Sequence, residues 1–187
     1  REERDLEQVH IVLGYEGLAY GDPDYYALSV LSAMLGGGMS SRLFQEIREE
    51  RGLVYSIYTF GSTYFDTGLF GIYAGTGVEA CAEVVELICR HVRAMADGIT
   101  EAELQRARAQ LKAGILMSLE STAARSEQIA RQTLVYGRPL APAEITAKID
   151  GVDTGAIARV AERLRAGRPT LSAIGPVAGL PDYDAII

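Results

Sequence analysis

Residues 35–56 read LGGGMSSRLFQEIREERGLVYS, and they decide how the rest of the chain is interpreted. The triple glycine ends one helical pattern, and Ser40 and Ser41 can cap a second helix that reaches Arg51. Gly52 then lets the chain turn, and a β-rich run begins at Leu53. The stretch therefore predicts a helix, a tight turn, a second helix and a strand in close succession.

The triple glycine could instead cradle a phosphate, as glycine-rich loops do in nucleotide-binding proteins. A P-loop needs Lys and then Ser or Thr after its glycines, whereas Met39 and Ser40 follow here. The G-x-G-x-x-G pattern of dinucleotide-binding proteins is absent as well. We therefore interpret the three glycines as a helix stop and a tight turn.

On either side of this stretch the hydrophobic pattern predicts strands. Residues 7–15 alternate between apolar and polar positions, which is typical of a half-buried strand. Residues 53–65 and 69–76 are both β-rich and are joined by Asp-Thr-Gly, which predicts an antiparallel hairpin. A last strand is expected over residues 170–175.

The remaining segments have helical periodicity. Helices are predicted from Pro23 to the triple glycine, over 78–97, from a capping box at Thr100 and Glu103, over 121–136, from Pro142, and around 157–164. This order predicts an α+β fold with a mainly antiparallel sheet and helices packed on one face, which residues 78–97 and 101–119 are expected to cover. We expect residues 1–187 to form a single domain cut from a longer chain, since the sequence opens at Arg1 rather than Met.

The charge and hydropathy of the chain exclude two classes of partner. Eighteen Lys and Arg against 25 Asp and Glu give a net charge of −7, with the basic residues scattered, so no nucleic-acid surface is expected. No apolar run approaches the ~20 residues of a membrane helix, so no membrane is expected either.

The two cysteines, Cys81 and Cys89, fall in one predicted helix. Eight residues at 1.5 Å each place their backbones about 12 Å apart, beyond the roughly 7 Å limit for a disulfide. They are interpreted as small buried apolar residues in a reducing compartment, and a cytoplasmic location is expected.

Histidine is too sparse for a metal site built by this chain. Zinc hydrolases use two or three converging ligands, of which two usually lie one helical turn apart. His10 and His91 are the two histidines of the sequence, and neither H-E-x-x-H nor H-x-x-E-H occurs. No metal ligand is therefore predicted, and both histidines are interpreted as structural or surface residues.

Residues 35–56 closely resemble the C-terminal domain signature of the pitrilysin family, the inverted-zincin peptidases that include mitochondrial processing peptidase. The flanking strand, hairpin, long helix and terminal strand agree with that resemblance. It implies a metalloprotease half-clamshell, in which two α+β halves close on each other. It also implies that zinc and the H-x-x-E-H motif belong to a missing N-terminal half or to a partner subunit in a homo- or heterodimer.

The resemblance assigns a role to two residues of this sequence. In the family an Arg and a Tyr spaced seven apart reach over to the bound peptide, and Arg48 and Tyr55 match that pair. It implies a zinc-free half that binds and helps hydrolyse extended peptides and is inactive alone. Arg42, Glu46 and Glu49 are interpreted as helix capping and surface charge.

A second class of function stays open. Some family members keep the fold but serve as non-catalytic structural or peptide-binding subunits. The retained Arg48 and Tyr55 favour the peptidase, because a purely structural relative has no need of them. An isolated ligand-binding module is disfavoured, since no small-molecule motif occurs.

Overall fold

A computed structural model describes residues 1–178, 180 and 182; residues 179, 181 and 183–187 of the predicted domain lie outside the described part. The described strands are β1 (Glu2–Glu3), β2 (Val9–Glu16), β3 (Val54–Thr63), β4 (Gly68–Thr76) and β5 (Thr170–Gly175). The described α-helices are α1 (Tyr25–Gly36), α2 (Cys81–Asp97), α3 (Glu101–Ser118), α4 (Thr122–Tyr136), α5 (Pro142–Asp150) and α6 (Thr154–Ala166). A π-helical segment, Phe44–Glu50, connects α1 to β3.

The strands form one sheet in the order β1-β5-β2-β4-β3. Three of its four pairings are antiparallel, and β1 with β5 is parallel. The hairpin of β3 and β4 lies beside β2, and β3 forms an edge of the sheet. The predicted mainly antiparallel α+β fold is therefore confirmed.

One face of this sheet is buried and the other is open. Alternate residues of β2 and β4 point to the helices, and Val9, Ile11, Leu13, Phe70 and Ile72 are completely buried there. The opposite face exposes Tyr58, Leu69 and Ile174. Within the described residues the sheet thus carries helices on one side, as the order of elements predicted.

The helices make two tiers over the buried face. Helix α1 packs on β3 and α2 on β4, while α6 packs against both helices. The prediction that residues 101–119 cover the sheet is corrected: α3 packs chiefly on α1 and α5. It therefore forms an outer tier, with only Leu104 and Ala107 buried.

Over the described residues, no helix is long and apolar enough to span a bilayer.

The first glycine of the triple does more than end α1. A Cβ on Gly36 would lie 2.7 Å from Thr59 Cγ2 and 2.9 Å from the Thr59 backbone nitrogen, so glycine allows α1 to approach β3 closely. The same contact is fixed by hydrogen bonds, because the Thr59 hydroxyl donates to the Ser32 carbonyl at 2.9 Å and accepts from the Ser32 hydroxyl at 2.9 Å.

We expect Gly36→Ala to destabilise the protein by about 1–3 kcal/mol, because the added methyl overpacks the junction of α1 and β3. Gly114→Ala on the exposed face of α3 is the matched control, since a Cβ there meets nothing within 4 Å. That change is expected to stabilise by roughly 0.5–1 kcal/mol. Urea unfolding of both variants measures this, and equal effects would contradict the close-approach argument.

Candidate functional site

Arg48 lies in the last turn of the π-helical segment, near the position that the sequence predicted. The predicted α-helix is instead widened: the Arg51 amide donates to the Glu46 carbonyl at 3.1 Å, five residues back. Ser41 does not cap this segment, because its hydroxyl donates backward to the Gly38 carbonyl. The Arg48 side chain is exposed, and its guanidinium lies 4.7 Å from the centre of the Phe44 ring. This cation–π contact helps to hold the Arg48 side chain in place.

Glu46 anchors the π-helical segment to α2 and is not the surface charge that the sequence predicted. Its carboxylate is only 22% exposed and accepts hydrogen bonds from Arg51, Arg90 and His91. Burial alone would raise the pKa of Glu46, but the hydrogen bonds from Arg90 and Arg51 outweigh it and lower the pKa. The Glu46 carboxylate thus stays ionised and holds the turn that carries Arg48 onto the long helix.

His91 is the neutral member of this cluster. Burial lowers its pKa more than the Glu46 carboxylate raises it, so the imidazole is neutral at pH 7. Its Nε2–H then donates to Glu46 Oε2 at 2.8 Å. No sequence motif joins Glu46 to Arg90 and His91, which lie more than forty residues later, so the cluster could not be found without the fold.

Arg42 is also an anchor rather than a helix cap. It donates to both Glu103 oxygens, at 2.8 and 3.1 Å, and to the Gly98 carbonyl at 3.2 Å. The Arg42 hydrogen bond is the main cause that lowers the pKa of Glu103 to about 2. Glu103 also forms the predicted capping box with Thr100. The same carboxylate therefore caps the N-terminus of α3 and binds Arg42, which precedes the π-helical segment.

Tyr55 lies near the start of β3, as predicted. The sequence did not predict the irregular backbone that the structure shows at this residue. Val54 pairs with Thr76 and Ser56 pairs with Gly75, so Tyr55 is an extra residue without a partner on β4. It is therefore the inserted residue of a β-bulge, and its side chain is 64% exposed. Bulges re-aim side chains and are over-represented next to active sites.

The structure places Arg48 and Tyr55 on adjoining segments. The π-helical segment packs against β3, and Gly52, with φ of +64°, turns the chain between them. Glycine suits this left-handed conformation because it carries no Cβ. Both candidate side chains thus project to solvent from irregular backbone at one corner of the domain.

The described residues do not fit a bound metal ion. Among them, no three His, Cys, Asp or Glu side chains are grouped closely enough to ligate one. His10 Nδ1 lies 2.7 Å from the Tyr73 hydroxyl, and His91 is engaged by Glu46. The histidines therefore have structural partners, and no chemical step is assigned to a metal held by these residues.

The fold and the exposed corner define an α+β domain with a mainly antiparallel sheet and helices on one face. The chain belongs to the M16 peptidase family: the family model described as the Peptidase M16 inactive domain matches residues 1–111.

Curated relatives agree with this assignment. An uncharacterized zinc protease of Streptomyces coelicolor is 40% identical over 93% of this chain and 38% of its own length. A probable mitochondrial-processing peptidase subunit beta of Arabidopsis thaliana is 36% identical over 96% of this chain and 36% of its own length. The chain therefore spans less than half the length of these relatives.

Solved structures share the fold over almost the whole chain. A chain of complex III from Candida albicans superposes with a TM-score of 0.90 at 24% identity, covering 99% of this chain and 47% of that one. A conserved protein of Enterococcus faecalis superposes with a TM-score of 0.80 at 27% identity, covering 97% of this chain and 42% of that one.

We expect Glu46→Gln to destabilise the protein by about 1–2 kcal/mol at pH 7, because Arg51 and Arg90 lose a charged acceptor. The pKa of Glu46 is lowered in the folded state, so its contribution is present above the unfolded pKa and is lost as the pH falls through the folded one. The wild-type protein and the Glu46→Gln variant should therefore converge in melting temperature in acid.

The matched control for this pH series is Glu50→Gln, which changes an exposed carboxylate of the same segment. It is expected to alter stability by less than about 0.5 kcal/mol. Thermal melts of both variants between about pH 3 and pH 7 make the comparison. If Glu46→Gln and Glu50→Gln behave alike, the anchoring role of Glu46 is wrong.

Proposed function

We propose that this chain is the C-terminal, zinc-free half of a zinc metalloendopeptidase, and that Arg48 and Tyr55 contact the peptide substrate. The observation that carries the proposal is the placement of both side chains on irregular, solvent-facing backbone, a π-helical segment and a β-bulge. Such segments cost regular hydrogen bonding and are frequent at functional sites. The names of the relatives supply the reaction class, peptide hydrolysis by a zinc protease.

The chemistry of the two residues suits that role. Peptide hydrolysis places negative charge on the scissile carbonyl oxygen, and preorganised donors directed at that oxygen lower the barrier. The Tyr55 hydroxyl can donate one hydrogen bond there, and the Arg48 guanidinium can hold substrate carbonyl groups. Zinc, held by the N-terminal half or a partner subunit, would supply Lewis acidity and an activated water.

The edge position of β3 supports binding of extended peptides. Tyr55 stands at the start of this strand, whose other side has no neighbouring strand in the described sheet. An extended peptide can satisfy such an edge with main-chain hydrogen bonds. A peptide lying along β3 would pass Tyr55 and present its carbonyl groups to the corner that carries Arg48.

A reducing, cytoplasmic location is also proposed. Cys81 and Cys89 are buried free thiols, and burial raises the pKa of both, which keeps them protonated and unreactive. A chain that depended on an oxidising compartment would be expected to pair its cysteines. Cell fractionation tests this, and recovery of the protein in a secreted fraction would contradict it.

We expect Tyr55→Phe to reduce kcat of the full-length enzyme by roughly 10²–10³-fold, the effect of losing one such donor. Arg48→Ala should act more on KM, because a residue that holds the substrate main chain stabilises ground and transition states alike. Steady-state kinetics on a fluorogenic peptide, with thermal melts, measure both. Tyr64→Phe, at the far end of the hairpin and 58% exposed, is the control and should retain full activity.

Two results would count against the peptide-contact role. Full activity in Tyr55→Phe would remove its hydroxyl from the reaction. Loss of activity accompanied by a lowered melting temperature would assign both residues to folding instead.

Zinc dependence separates the peptidase from the non-catalytic subunit. We expect chelation of the full-length protein to abolish hydrolysis and zinc to restore it, while this domain, if expressed alone, gains no stoichiometric zinc. Metal analysis after dialysis and a peptidase assay measure this. A full-length protein that binds peptides through Arg48 and Tyr55 but neither holds zinc nor hydrolyses them would support the non-catalytic alternative.

A further inference from the structure

Helix α4 borders a pocket. None of the residues of Thr122–Tyr136 is buried, whereas every other described α-helix has buried side chains. Its inward stripe at helical spacing, Ala124, Gln128, Gln132 and Val135, is only partly buried. All four residues line a cavity between α4 and the helices α1, α3 and α5. The side chains on the inward face of α4 therefore line a pocket instead of packing directly on a neighbouring helix.

The cavity has the size and lining of a small-molecule site. Its volume is about 400 Å³, within the roughly 300–1,000 Å³ typical of ligand pockets. Leu111, Ile115, Val135 and Ile145 give it an apolar floor. An apolar group placed on this floor would gain dispersion contacts with these side chains. The floor therefore favours an apolar ligand body.

Tyrosines form one wall of this cavity. Tyr25 lies 5.0 Å from Tyr26 and 5.5 Å from Tyr20 between ring centres, and Tyr136 meets Tyr20 edge-on at 6.4 Å. Burial raises the pKa of Tyr25 and of Tyr26 to about 12, so both phenols stay neutral donors at pH 7. This wall offers ring faces for a planar group and hydroxyl donors for an acceptor atom.

Arg131 lies between two neighbouring pockets. It lines this cavity and also an adjoining one of about 500 Å³ that reaches the hairpin end at Gly61 and Tyr64, and Tyr20 and Tyr25 line both. Arg131 lines the cavity together with Tyr20 and forms an ion pair with Glu127, whose side chain is 70% exposed. An exposed carboxylate of this kind is easily displaced, since surface ion pairs contribute little.

We propose that this cavity binds a small carboxylic acid with an aromatic body. The ring packs on the apolar floor and against the tyrosine wall, and the carboxylate takes the position of Glu127 on Arg131. The guanidinium matches a carboxylate with two parallel N–H donors. The same chemistry is offered by a free aromatic acid and by the C-terminal residue of a peptide that ends in Phe or Trp.

The test uses the full-length protein and isothermal titration with phenylacetate and indole-3-acetate, each compared with its uncharged amide. We expect the acids to bind and Arg131→Gln to weaken them by roughly ten- to a hundredfold, the loss of a hydrogen-bonded charge, while the amides change little. Glu127→Gln removes the competing carboxylate and should strengthen acid binding. Ile115→Trp, which fills the floor, should abolish binding of acids and amides.

Arg125→Gln is the matched control, since it removes an exposed charge from the same helix without lining the cavity. It should leave every affinity unchanged. Acids that do not bind, that bind no better than their amides, or that bind Arg131→Gln as well as wild type each overturn the proposal. If Ile115→Trp does not fold, the two surface variants still decide. An N-acetyl dipeptide ending in Phe, titrated beside the acids, identifies a peptide terminus if it binds more tightly and a free acid if it does not.

Discussion

The apolar face of the sheet, built by alternate residues of β2 and β4, has to be removed from water, and one layer of helices does so. Ile11, Leu13 and Ile72 are fully buried on the face that α1 and α2 cover. Because only this face is apolar throughout, the opposite face stays open and carries exposed Tyr58 and Leu69. The strand order separately leaves β3 at an edge of the described sheet.

The candidate site depends on that frame but is built from departures from regular structure. Glu46 ties a widened helical turn to α2, and the register of β3 with β4 leaves Tyr55 unpaired. Both side chains are exposed, Arg48 on the π-helical turn and Tyr55 at the bulge. Arg90 and His91, which hold Glu46 in place, lie more than forty residues after it in the sequence.

The outer helices follow another rule. Helices α3 and α4 are not part of the layer that packs on the sheet. Helix α4 has no buried residue. Two pockets lined by tyrosines and Arg131 lie at this end of the domain. The domain thus has Arg48 and Tyr55 beside the sheet and open pockets beside its outer helices.

The sequence by itself determined the α+β class, the bounds of most elements and the positions of Arg48 and Tyr55, because hydrophobic periodicity, glycine stops and the capping box at Thr100 are local signals. Family membership followed from residues 35–56 for the same reason. Only the tertiary structure decided the π-helical turn, the bulge at Tyr55, the role of Glu46 and the outer position of α3. Each of these depends on a partner many residues away, Arg90 and His91 for Glu46 and the β4 ladder for Tyr55, and no local pattern encodes such a pairing.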